Sequence, residues 1–290
     1  MAAYTILTDS CCDLPAELAA ELELEVLPLR LEMSGSTYRN YLDGREIGFQ
    51  EFYSRIRGGE NAVTSAVSVG DFETAMRAVL DRGEDLLCIC FSSALSATYQ
   101  SAAIAADSLR EAYPDRTLYV VDSLCASMGQ GLLVWLCAQE KRNGKSIREV
   151  RDFAEQQKGS VCHWFTVDDL YHLKRGGRVS ATTALFGTML SIKPVLHVDA
   201  EGRLIPMEKA RGRKASLTAL VDQMEETAVS PGYQTVFISH GDCLDDAKFV
   251  ASEIRRRFGT QNIIIDYIGP VIGSHTGAGV VALFFTGSSR

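Results

Sequence analysis

The chain has 290 residues, enough to bury a sizeable core and to divide into two domains. Its formal net charge of −8 argues against a nucleic acid or an anionic membrane surface as a general partner. The longest apolar run, around Leu132 to Ala138, is far too short to span a bilayer, so stable membrane insertion is not expected.

Ala2-Ala3-Tyr4 runs directly into a strand pattern, without the basic start and cleavage site of a secretory signal. Among the eight cysteines, Cys11 and Cys12 are adjacent, and Cys88 and Cys90 face one side of a single strand. Neither pair has sensible bridging geometry, so a reducing, cytoplasmic compartment is expected.

In chain order, Tyr4 to Thr8 reads as a strand ending in Asp9-Ser10, and Pro15 opens a helix with Asp13 as its cap. Glu25 to Met33 alternates as a strand, and Phe49 to Arg57 is helical up to Gly58-Gly59. Thr64 to Ser68 reads as a polar loop before a helix that starts near Asp71. Strand 86–91, helix 96–112, strand Leu118 to Val121, and helices 125–142 and Ile147 to Lys158 complete the first half. Strands alternating with helices predict a parallel sheet covered on both faces, a Rossmann-like three-layer domain over residues 1–158.

The second half, residues 159–290, predicts a smaller α/β domain with a mixed sheet. Val161 to Val167 is a strand, Asp168-Asp169 caps a short helix, and Lys174 to Arg178 is a basic, Gly-rich turn. Ile192 to Val198 and Leu204 to Ala210 pair across the hairpin turn Asp199 to Gly202. Helices at Lys214 to Val229 and 244–258 alternate with strands at Thr235 to Ser239 and Ile263 to Tyr267. A Gly-rich loop, Gly269 to Gly279, precedes the closing strand Val280 to Phe285.

Chemistry concentrates at Phe91-Ser92-Ser93-Ala94-Leu95-Ser96-Ala97-Thr98, where a strand ends in clustered hydroxyls at the start of a helix. The free N–H groups and dipole of a helix N-terminus favour an anion there. No lysine or arginine lies in the stretch, which suits a carboxylate or one phosphate oxygen better than a polyphosphate; an ordinary serine cap accounts for the same residues. Asp122-Ser123 repeats Asp9-Ser10 at a second strand tip.

Nucleotide motifs fail. Met128-Gly129-Gln130-Gly131 lacks the third glycine of a dinucleotide fingerprint and lies inside a helix, and no P-loop occurs. No tight set of metal ligands is present; Cys88 and Cys90 read as buried apolar residues, and His163 and His172 as structural. A serine nucleophile can be assembled from Ser93, His275 and Asp9, yet no nucleophile elbow supports it. His275, in a flexible Gly-rich loop beside Thr276, is the histidine best placed to meet a ligand.

The stretches Ile6 to Ser10, Ser92 to Ala102, Val121 to Ser123 with Gly129 to Gly131, and Leu173 to Ser180 together resemble the DegV family. Ile192 to Leu196, Lys209 to Lys214 and Gly273 to Gly277 continue the resemblance in family order over nearly the whole chain.

The resemblance implies a bacterial cytoplasmic protein, without catalytic activity or cofactor, that binds one long-chain fatty acid such as palmitate, stearate or oleate between its two domains. By the same resemblance the carboxylate is held by Thr64, Ser93 and His275, with Ser92 and Ser96 in support, and the tail lies in an apolar tunnel. A separate ATP-binding fatty acid kinase subunit would make the acyl phosphate for phospholipid metabolism, with Arg211 serving that step. Ala97 for an expected glycine, Ala278 for a frequent proline, and the lack of a proline near Val67 to Val69 are departures that affect the tunnel mouth. The competing expectations are a dihydroxyacetone-kinase-like subunit and a serine hydrolase.

Overall fold

The computed structural model describes residues 3–179 and 192–290. Ala2 and Ser180, each part of a stretch read above, lie outside the described residues. The first half comprises β1 (Tyr4–Asp9), α1 (Ala16–Glu21), β2 (Glu25–Leu27), β3 (Arg30–Met33), β4 (Ser36–Arg39) and α2 (Phe49–Arg57). It continues with β5 (Ala62–Ser65), α3 (Val69–Asp81), β6 (Asp85–Cys90), α4 (Thr98–Ala112), β7 (Leu118–Asp122), α5 (Met128–Arg142) and α6 (Ile147–Gln157). The second half comprises β8 (Val161–Thr166), α7 (Tyr171–Arg175), β9 (Ile192–Val198), β10 (Leu204–Arg211) and α8 (Arg213–Thr227). Then follow β11 (Val236–His240), α9 (Leu244–Phe258), β12 (Ile263–Tyr267), α10 (Pro270–Thr276) and β13 (Val281–Thr286).

The expected α/β architecture is present. A four-stranded sheet, ordered β2-β1-β6-β7, is parallel throughout. Its continuous apolar strands follow from burial on both faces. Ile6, Leu87 and Ile89 pack towards Leu132 and Leu133 of α5, while Leu7, Leu86 and Cys88 pack towards Phe72 of α3 and Ala105 of α4. Strand order reverses on either side of β1, so the carboxyl ends of β1 and β6 border the crevice where such sheets bind ligands.

The second sheet, β10-β9-β8-β13-β11-β12, is mixed: β11 and β12 are parallel, the other neighbours antiparallel. One face is covered by α8 and α9, with Leu220, Met224 and Ile254 against Val236, Ile238 and Leu283. The opposite face, carrying Phe165, Phe237, Ala282 and Phe284, joins the cluster that includes α5 and the first sheet. Two glycines of α5 permit close approach on either side, Gly129 towards the mixed sheet and Gly131 towards the segment after β1. A Cβ at Gly131 would meet the Cys12 carbonyl at 2.6 Å, and one at Gly129 would fall within the His163 ring.

Local features depart from the expectations. The strand anticipated over Glu25 to Met33 is broken at Pro28, which offers no N–H to a ladder. Its first part joins the parallel sheet as β2; its second forms, with β4 and β5, a three-stranded antiparallel sheet. Thr64 therefore sits in a strand, paired with Leu31, rather than in a loop. Asp13 does not cap α1, which begins after Pro15; its backbone is left-handed (φ 49°) and its side chain turns into the interior. The Gly-rich segment is helical over α10, started by Pro270 at its first turn.

Candidate functional site

A cavity of about 270 Å³ lies between the carboxyl edge of the parallel sheet and the inner face of the mixed sheet. Ala282 and Phe284, alternate residues on one face of β13, and Val280 just before the strand form one wall. At about 3.4 Å per residue they run some 14 Å along it. The register pairs Ala282 with Phe165 and Phe284 with His163 on β8, and these also line the cavity. Leu29, Phe91, Leu95, Val271 and Ile272 supply the opposing apolar surface.

Polar groups gather beside the Val280 end, where α10, β5 and the turn after α7 meet. Thr64 Oγ1 and His275 Nε2 are 2.8 Å apart and hydrogen-bonded. The other ring nitrogen abuts Gly176, where a Cβ would collide with Nδ1. Arg178 also lines the cavity; its Nε–H donates to the Leu95 carbonyl (3.3 Å) and its Nη1 to the Gly176 carbonyl. Burial, reinforced by Arg178 and Arg175, pulls the His275 pKa down to about 4. The imidazole is therefore neutral at physiological pH, and the cation in the cavity lining is Arg178, with Arg175 close by.

α10 holds His275 through several contacts. Gly269 N–H, at the helix N-cap, donates to Asp13 Oδ1 (3.0 Å), and Ser274 Oγ donates to the Pro270 carbonyl (2.6 Å). A side chain at Gly273 would strike Tyr53 and Phe52 of α2, so a glycine is needed for the close approach. Asp13 Oδ2 accepts from Ser127 Oγ (2.7 Å), which also meets Ser239 Oγ (2.9 Å), joining α10, the start of α5 and β11. Burial lifts the Asp13 pKa to about 8.

Of the expected carboxylate-binding residues, Thr64, Ser96 and His275 line the cavity; Ser92 and Ser93 are not among its lining residues. Ser92 is buried and donates through Oγ to the Gly202 carbonyl (2.9 Å), tying the strand tip to the β9–β10 turn. Ser93 N–H donates to Asp122 Oδ1 (3.1 Å), which also accepts from Leu124 N–H (3.1 Å). Ser96, beside the Arg178-bound Leu95 carbonyl, accepts from Thr98 N–H (3.3 Å) just before α4.

The strand-tip carboxylates serve the loops. Asp9 accepts from Phe91 N–H (2.8 Å), Cys11 N–H (3.0 Å) and Gln130 Nε2 (3.2 Å), and its pKa rises to about 6 through burial. Asp9, Ser93 and His275 are thus engaged with separate partners, and the triad assembled on paper is not formed. Arg211 is exposed at the end of β10, away from the cavity lining. Among the described residues no group of three or more His, Cys, Asp or Glu could hold a metal, and no helix is long and apolar enough to cross a membrane.

Arg178 and His163 are the residues that the sequence reading missed. Arg178 stood in the basic turn already singled out, but one of three cations there cannot be chosen without the fold. His163 was read as structural; its neighbours on β8 gave no sign that its face opens on a cavity.

A family model described as "Uncharacterised protein, DegV family" matches residues 3–287. The chain belongs to the DegV family. A DegV domain-containing protein of Clostridium perfringens is 44% identical over 290 residues, covering 100% of this chain and 99% of the relative. One from Streptococcus pyogenes is 35% identical over 286 residues, covering 99% of each. Among solved structures, a DegV family protein from Thermus thermophilus, described by its fatty acid binding, has a TM-score of 0.87 and 30% identity, covering 99% of this chain and 100% of that one. DegV from Bacillus subtilis, described as a fatty acid binding protein, gives 0.86 and 27% with the same coverage. The DegV likeness thus spans both sheets and the cavity between them.

Proposed function

We propose that this protein is a carrier, without catalysis of its own, for a long-chain fatty acid bound in the cavity between the units at residues 1–158 and 159–290. The observation that carries the reading is the cavity's polarity. Apolar walls run along β13, and the hydrogen-bonded Thr64–His275 pair and the Arg178 guanidinium stand together at one end. An acyl tail gains about 0.8 kcal/mol per buried methylene, and a buried carboxylate needs several donors or a cation. Thr64, His275 and Arg178, with Ser96 and the N-terminus of α4, supply both. The fatty acid binding of the DegV proteins from Thermus thermophilus and Bacillus subtilis supports the choice of ligand.

In this reading palmitate, stearate or oleate is the cargo and no cofactor is required. The protein works in a bacterial cytoplasm, presenting the acid to a separate ATP-dependent fatty acid kinase that forms the acyl phosphate, with Arg211 at that contact. Native mass spectrometry of the purified protein is the test: a mass increment equal to one fatty acid, displaceable by added oleate, is expected. A protein that takes up none of these acids would overturn the proposal. For the kinase step, Arg211→Ala should retain the acid but lose acyl-phosphate formation; equal activity would remove Arg211 from it.

A further inference from the structure

The lining of the cavity stops at one layer of the mixed sheet. Moving along β13 away from the polar end, Val280, Ala282 and Phe284 line it in turn, and Thr286 does not. On β8, Phe165 and His163 line it, and Val161, the next residue on that face, does not. The last layer is thus a row across the sheet, Phe284 and His163 continued by Val198 of β9 and Leu204 of β10; within it the cross-strand pair His163–Phe284 meets edge to face with ring centroids 5.4 Å apart. The layer before it pairs Phe165 with Ala282, one ring and one methyl, and so carries less side-chain bulk.

His163 cannot retreat from this position. Its Nδ1–H donates to the Val161 carbonyl (2.9 Å), and its Nε2 accepts from Ala126 N–H (3.2 Å), so both nitrogens are satisfied by backbone and the tautomer is fixed. Behind the ring stands Gly129, where even a methyl group would overlap the imidazole. Arg290 braces the same carbonyl through Nε (3.0 Å). A phenylalanine here would have similar bulk but no anchor for its orientation.

We propose that the His163–Phe284 pair is the floor of the acyl cavity and that the anchored His163 ring sets the longest chain it accepts. The inference rests on the carrier reading and adds to it the determinant of cargo length. Each methylene buried short of the floor strengthens binding by about fourfold; the first that must pass the rings gains nothing.

The test measures Kd for saturated acids from decanoate to icosanoate on delipidated full-length protein. Wild type should show affinity rising with length and then a break. In His163→Asn, whose amide N–H can take the place of Nδ1–H on the Val161 carbonyl in a smaller side chain, the break should move to an acid longer by one or more methylenes. Phe284→Leu, which leaves those hydrogen bonds untouched, should move it the same way. A variant that folds but keeps the wild-type break overturns the floor. An independent arm needs no substitution: with the longest acid that wild type accepts, labelled at its terminal methyl, nuclear Overhauser contacts to the His163 ring are expected, and their absence overturns it. If wild type binds none of the acids, the carrier reading fails; binding with an unmoved break defeats the floor alone.

Discussion

Replacing Thr64 by valine isolates one hydroxyl at the polar end of the cavity. Valine keeps the branched shape that suits β5, and position 64 pairs with Leu31 in the small sheet, so the backbone has no reason to move. What is lost is the Oγ1 that lies 2.8 Å from His275 Nε2. Thr64 and the neutral His275 share one hydrogen bond, and the remaining capacity of the threonine hydroxyl is what a bound carboxylate would use; valine removes both. A hydrogen bond to a charged group contributes about 1.5–3 kcal/mol, which corresponds to roughly 10- to 150-fold in Kd. Because Thr64 is only half-buried, the lower part of that range is expected. Titration calorimetry with oleate on delipidated protein measures the change, and the melting temperature of the ligand-free variant should match wild type. His275→Ala should weaken binding too, and the double variant should cost less than the sum. A Thr64→Val protein within twofold of wild type would show that the carboxylate is gripped elsewhere.

Arg178→Met, which keeps the apolar stem and removes the charge, should weaken oleate binding by about tenfold and blunt its salt dependence; an unchanged Kd would remove Arg178 from the head site. Ser96→Ala should weaken binding by a fewfold while Ser93→Ala stays within twofold, because only Ser96 lines the cavity; the reverse order in one calorimetric series would restore Ser93. Asp13 has its pKa raised from 3.8 to about 8, so the folded chain holds a proton that the unfolded chain releases. Its contribution to stability is therefore full below about pH 4 and lost as pH rises towards 8. Asp13→Asn, tolerated at a left-handed position, should flatten that part of the curve in urea unfolding at pH 5 and pH 8; a variant with the wild-type slope would refute the assignment.

Strand and helix alternation made the parallel sheet readable, because strands buried on both faces carry uninterrupted apolar runs such as Leu86 to Phe91. The β9–β10 hairpin was equally legible from Asp199 to Gly202. Tertiary demands overrode local pattern elsewhere. Glycines at 269, 273 and 277 suggested a loop, yet Gly273 and Gly277 let α10 lie against α2 and α7, while Gly269 backs onto Asp13 and Asn40. Asp13 looked like a cap because it precedes Pro15, whereas its partners, Ser127 and Gly269, are remote in sequence. The serine-rich stretch singled out by the sequence divides three ways: Ser92 Oγ bonds the Gly202 carbonyl, Ser93 is tied to Asp122 through its backbone N–H, and Ser96 lines the cavity. Periodicity cannot resolve an irregular turn, so the sequence pattern does not choose among them.

The distribution of polar groups has a consequence for release. A tail with fourteen buried methylenes would gain roughly 11 kcal/mol, against an association cost of about 4–15 kcal/mol. Hydrogen bonds at the head add a few kcal/mol at most. Affinity is therefore governed by the tail and orientation by the head, since a carboxylate directed towards Phe284 and the fully bonded His163 would find no free donor there. On the carrier reading, a partner that must reach the carboxylate would gain from this arrangement: the head would stand beside β5, α7 and α10 with the tail still buried as it is approached. Holding the anion with one half-buried cation and neutral donors also limits the cost of letting it go. A second fixed charge in place of His275 would strengthen the grip in the state that a carrier has to leave.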